Sequence, residues 1–171
     1  MPKPRLVILS DLFGGENPEW LDYYRVLLEP KFDIQYYDIL QLANISSGLD
    51  ETNIHNHFLN GGIEKAINSL LINEKEKITV LGFSIGGTIA WKASLKGLNV
   101  LQLIAVSSTR LRFETEVPNC QIKLYFGETD LNKPNPQWFS DLKIAGEILK
   151  NENHNLYLEQ KNAFMISNNF K

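Results

Sequence analysis

The run Gly82-Phe83-Ser84-Ile85-Gly86 sets one serine between two glycines. It lies where an apolar, strand-like run (Lys77 to Leu81) gives way to a helix pattern beginning at Thr88. A serine on a sharp strand-to-helix turn presents its hydroxyl clear of the sheet, and the amide after it, here Ile85, faces a developing oxyanion at a helix N-terminus. Glycine at 82 and 86 keeps side chains out of a turn that leaves no room for them. The chemistry this predicts is nucleophilic attack by Ser84 on an acyl carbonyl. Phosphate binding fits worse: a dinucleotide fingerprint needs glycine where Ser84 stands, and no P-loop lysine follows.

A serine hydroxyl is a weak nucleophile until a base, itself held by a third group, takes its proton. The chain offers three histidines, His55, His57 and His154. Candidate acids lie at and after the end of a later strand pattern: Asp130, with Glu128 beside it and Asp141 farther on in a helix-like stretch. His55-Asn56-His57 has the look of a metal pair, but no third strong ligand stands near it, so no metal site is expected. Cys120, the one cysteine, rules out an internal disulfide framework and reads as a small residue at a strand start.

The elements that must position these groups alternate along the chain. Strand-like runs cover Arg5–Ser10, Phe32–Tyr37, Lys77–Leu81, Val100–Val106, Gln121–Phe126 and, more weakly, Lys143–Leu149. Between them lie a helix from Asn17 as cap and Pro18 to Pro30, a polar loop from Asn44 to Asn53, and an amphipathic helix through Leu59, Ile63, Ala66, Ile67, Leu70 and Leu71. Its Gly61-Gly62 is explained by close packing on the sheet. The stretch from Ser107 to Asn119 has no helix pattern, a short helix begins at Pro136, and a last one spans Leu156–Met165. Such alternation predicts an α/β fold with a mostly parallel sheet of about six strands and helices on both faces. Phe32–Tyr37 alternates in polarity and belongs at a sheet edge, whereas the continuous apolar runs belong inside.

In this order the residues resemble the α/β-hydrolase family, as a compact version with no lid domain. The likeness rests on Gly82, Ser84 and Gly86, on Gly127, Asp130 and Pro134 as its G-x-x-D turn with a following proline, and on His154-Asn155-Leu156 as its late histidine. The family's chain order of serine, acid, histidine passes over His55 and His57, which precede Ser84. The resemblance therefore implies Ser84 as nucleophile, His154 as base and Asp130 as the acid that orients it. It implies oxyanion amides at Ile85 and, in the loop Asp11-Leu12-Phe13-Gly14-Gly15, at Leu12 or Phe13. Asp11 stands where the family usually has histidine, and the first two strands of larger hydrolases have no counterpart. No metal or organic cofactor is implied. With so short a Ser107–Asn119 connection, the expected cleft is open, edged by Phe13, Phe83 and Arg110, and suited to short acyl esters or thioesters. A binding protein on the same fold without activity is the alternative, which an intact Ser–Asp–His set disfavours.

Length and charge bound the rest. The 171 residues, 43% hydrophobic and 22% charged, fit one domain over 1–171 with a core of its own. Seventeen basic against twenty acidic residues leave a formal charge of −3, with no basic surplus for a nucleic-acid backbone. The apolar run Leu6–Leu9 falls short of a signal peptide, and none approaches the length of a membrane span. The expectation is a soluble cytoplasmic protein acting on a small acyl compound.

Overall fold

Leu6, Val7, Ile8 and Leu9 are all wholly buried, which happens only when both faces of a strand are covered. In the computed structural model, which describes residues 1–170, they lie in β1 (Arg5–Leu9). The other strands are β2 (Asp33–Tyr37), β3 (Ile78–Phe83), β4 (Val100–Val106), β5 (Gln121–Gly127) and β6 (Glu147–Leu149). They form one sheet in the order β2-β1-β3-β4-β5-β6, with every pairing parallel. The alternating strand β2 is indeed at an edge.

Successive side chains point to opposite faces of a strand, so each central strand feeds two cores. Val7, Leu9, Ile78, Val80, Leu103, Ala105, Leu124 and Phe126 join one. Leu6, Ile8, Leu81, Phe83, Ile104, Val106 and Tyr125 join the other. The first core is closed by α2 (Ile39–Leu42), α3 (Glu51–His57), α4 (Ile63–Asn73) and α5 (Ile85–Leu95). The second is closed by α1 (Leu21–Leu28) and α7 (Gln160–Ser167). The short α6 (Pro136–Leu142), capped by the Asn135 side chain, leans Trp138 and Phe139 against the first core. No lid domain occurs among the described residues, and no helix of the described residues is long and apolar enough to cross a membrane.

Several local expectations need correction. Asn17 does not cap α1; its Oδ1 instead accepts from the Arg25 guanidinium at 2.7 Å, and the helix begins at Leu21. The polar stretch 44–53 is not all loop. Asp50 caps α3 by accepting from the Asn53 amide at 2.8 Å, and Asp38 caps α2 by accepting from Leu40. Gly61 is not pressed on the sheet: it has open space around it and a φ of 103°, which kinks the chain between α3 and α4. The last helix is two pieces, a tight turn over His154–Leu158 and then α7.

Candidate active site

The strand order reverses beside β1: the chain leaves it for β2 on one side and returns to β3 on the other. Parallel sheets open a crevice at such a point, beyond the C-terminal strand ends. The loop after β1 and the turn after β3 both end there. Ser84 occupies that turn with φ 52° and ψ −128°, a conformation rare and strained for a residue with a Cβ. Two close approaches allow it. A Cβ on Gly82 would lie 2.6 Å from the Gly87 Cα, and one on Gly86 would strike the Ser10 carbonyl. The Ser84 amide is anchored on the Val106 carbonyl at 2.8 Å, and α5 starts with the next residue, Ile85.

The acid and the histidine come from neighbouring loops beyond β5 and β6. The two loops are sewn together: the Glu128 amide donates to the Leu149 carbonyl, the Thr129 amide and hydroxyl both donate to the Glu152 carbonyl, and the Asn151 amide donates to the Glu128 carboxylate. That use turns Glu128 outward. Asp130 sits in the turn with its side chain fully buried; its Oδ1 accepts from the Asn132 amide at 2.8 Å. Its Oδ2 lies 2.9 Å from His154 Nδ1, and His154 Nε2 lies 3.2 Å from Ser84 Oγ. Beside an ionised Asp130, which can only accept, a neutral His154 carries its proton on Nδ1 and offers the Nε2 lone pair to the serine hydroxyl. The His154 side chain is 30% exposed, open to the cleft on one side.

A residue that the sequence did not single out also reaches Ser84. Thr109 Oγ1 lies 2.9 Å from Ser84 Oγ. With its one proton directed at a neutral His154, Ser84 is left to accept from Thr109. The Thr109 carbonyl is held in turn by the Thr88 hydroxyl at 2.6 Å. Thr109 belongs to the run Ser107-Ser108-Thr109 at the end of β4, where the hydroxyl-rich composition was the available signal.

A cavity of about 510 Å³ opens over these groups, within the range of small-molecule sites. Leu12, Phe13, Ser84, Thr109, His154 and Tyr157 line its floor and near side, and Glu51, Thr52, His55 and Asn56 of α3 supply a wall. The cleft is therefore not bounded as expected. Phe13, 60% exposed, does edge it. Phe83 does not: it is wholly buried among Trp20, Tyr24 and Tyr157, with ring centroids at 4.7, 4.9 and 5.3 Å, because the pleat points it into the α1–α7 core. Arg110 does not either; its guanidinium carbon sits 4.9 Å above the Phe113 ring. His55 stands in the wall away from the triad geometry, while His57 is exposed. No group of three or more His, Cys, Asp and Glu side chains among the described residues is arranged to hold a metal ion.

No family model matches the sequence, and no curated protein matches it. The fold has many counterparts among solved structures. An alpha-beta serine hydrolase homologue from Coxiella burnetii superposes with a TM-score of 0.70 at 16% identity, over 100% of this chain and 88% of that one. Est1E from Butyrivibrio proteoclasticus, in a structure with ferulic acid bound, gives 0.70 at 12% identity over 98% and 86%. Alpha/beta hydrolase domain-containing protein 10 from mouse gives 0.68 at 12% identity over 96% and 86%. The chain has the fold of the α/β hydrolases, in a form without a lid among its described residues.

Proposed function

We propose that this chain is a serine hydrolase of small acyl esters or thioesters. The observation that carries the proposal is the unbroken hydrogen-bonded series from Ser84 Oγ through His154 to Asp130, with the serine strained at the N-terminus of α5. Ser84 Oγ attacks the acyl carbonyl as His154 Nε2 takes its proton. The carbonyl oxygen becomes an oxyanion facing the first amide of α5, at Ile85, and the loop that holds Leu12 and Phe13. Collapse of the tetrahedral intermediate breaks the bond to the alcohol or thiol, which receives the proton from His154. Water, deprotonated by the same nitrogen, then attacks the acyl-enzyme and returns Ser84 and a carboxylic acid. Asp130 holds the imidazole in the required tautomer and stabilises its charged form.

The wall supplied by α3 narrows the substrate. Glu51, Thr52, His55 and Asn56, with Asn132 and Asn155 also lining the cavity, offer hydrogen bonds rather than a greasy channel. The substrate we propose is a small ester with a polar substituent. The test is steady-state hydrolysis of p-nitrophenyl acetate by the purified chain and by Ser84→Ala. Turnover that disappears in the variant is the expected result; equal turnover in both would place the chemistry elsewhere.

A further inference from the structure

Asp11 is a charged group that the proposed reaction does not consume, yet it sits beside the site. It is only 4% exposed, at the end of β1, and no Lys or Arg pairs with it among the described residues. A buried carboxylate without a cation must be held by hydrogen bonds or it is costly. Its bonds go to two places that matter. Oδ1 accepts from the amides of Phe13 at 3.2 Å and Gly14 at 3.3 Å. Oδ2 accepts from the Tyr157 hydroxyl at 2.8 Å, and Tyr157 lies in the same tight turn as His154. The Tyr157 carbonyl is itself held by the Tyr24 hydroxyl at 3.0 Å.

We infer that Asp11 is a positioning residue that sets the oxyanion hole: it draws the Phe13 amide inward, leaves the Leu12 amide as the second oxyanion donor, and ties that loop through Tyr157 to the turn bearing His154. Leu12 lines the cavity, and among the described residues its amide donates to no protein acceptor. The Phe13 amide is directed at a carboxylate instead. An oxyanion beside it would compete with a negative charge already in place. One carboxylate thus fixes two parts of the site against each other, the loop that receives charge and the turn that moves the proton.

The inference rests on the hydrolase reading, and the experiment separates the two. Wild type, Asp11→Ala, Asp11→Asn and Tyr157→Phe are compared for kcat and KM on p-nitrophenyl acetate, and for inhibition by a trifluoromethyl ketone, whose adduct with serine carries an oxyanion. Loss of a well-placed oxyanion donor lowers kcat by roughly 10²–10³-fold. Asp11→Ala is expected to approach that loss with KM unchanged and to weaken the ketone in parallel. Asp11→Asn, whose amide oxygen can still accept from Phe13 and Gly14, is expected to recover most of kcat. Tyr157→Phe should lower kcat without moving KM, and it decides the matter if Asp11→Ala does not fold. An unchanged kcat in Tyr157→Phe and Asp11→Ala, or equal losses in Asp11→Ala and Asp11→Asn, would overturn the inference while leaving the hydrolase reading standing. A wild type that turns over no ester and forms no ketone adduct would overturn both.

Discussion

At the scale of single residues, burial and hydrogen bonding pull Asp11 in opposite directions. Burial, the larger effect, pushes its carboxyl above the ordinary value; the Tyr157 hydroxyl and the Gly14 and Phe13 amides oppose it, as does the charge His154 carries when protonated. Tyr36 also feels its charge. A carboxyl whose folded pKa is raised binds its proton more tightly in the folded chain. Its contribution to stability is whole below the unfolded value, about 3.9, and is lost as pH rises through the higher folded value. Asp11→Asn is neutral throughout and escapes that loss. Urea unfolding across a pH series should show the variant gaining on wild type as pH rises from about 4 towards neutrality; curves that stay parallel would contradict this. The sequence made the serine, the acid and the histidine legible as types in a particular order, because each needs a distinctive local setting. It did not make Thr109, Tyr157 or the use of Asp11 legible, because hydroxyl and carboxylate partners far apart in the chain leave no local pattern. Phe83 misled for a simpler reason: it adjoins Ser84 in sequence, but alternation turns it to the opposite face.

At the scale of elements, the sheet was readable and the wall of the cleft was not. The central strands β1, β3 and β4 carry apolar runs buried on both faces, and β2 alternates as an edge strand does. The helix α3 carries Ile54 inside and Glu51, Thr52, His55 and Asn56 outside, too short and too polar for its periodicity to stand out. What sets α3 apart from α4 is the kink at Asn60 and Gly61. A Cβ at Gly61 would meet nothing within 4 Å, so Gly61→Ala carries a conformational cost alone. A left-handed residue with a Cβ costs about 1 kcal/mol or more, and asparagine tolerates the region better. Urea unfolding should therefore show Gly61→Ala less stable than wild type by about that amount, with Gly61→Asn between them. Because α3 also walls the cleft, Gly61→Ala should raise KM for polar esters as well. A Gly61→Ala chain as stable as wild type would show that the kink is not held by glycine.

At the scale of the whole molecule, one topological feature organises the site. The chain leaves β1 in one direction and resumes at β3 in the other, so the loop with Leu12 and the turn with Ser84 converge without any long insertion. The loop after β5 reaches past the end of β4, and the loop after β6 past the ends of β5 and β4, and their mutual hydrogen bonds fix Asp130 against His154. By the proposed function, this convergence makes Ser84 a nucleophile activated by His154. The most direct measurement of that activation is mass-spectrometric mapping of a fluorophosphonate adduct on the purified chain. One adduct is expected, on Ser84, absent in Ser84→Ala, abolished or greatly slowed in His154→Ala, reduced by up to about 10⁴ in rate in Asp130→Asn and retained in His57→Ala. No adduct on Ser84 in the wild-type chain, or labelling as fast in His154→Ala as in wild type, would contradict it.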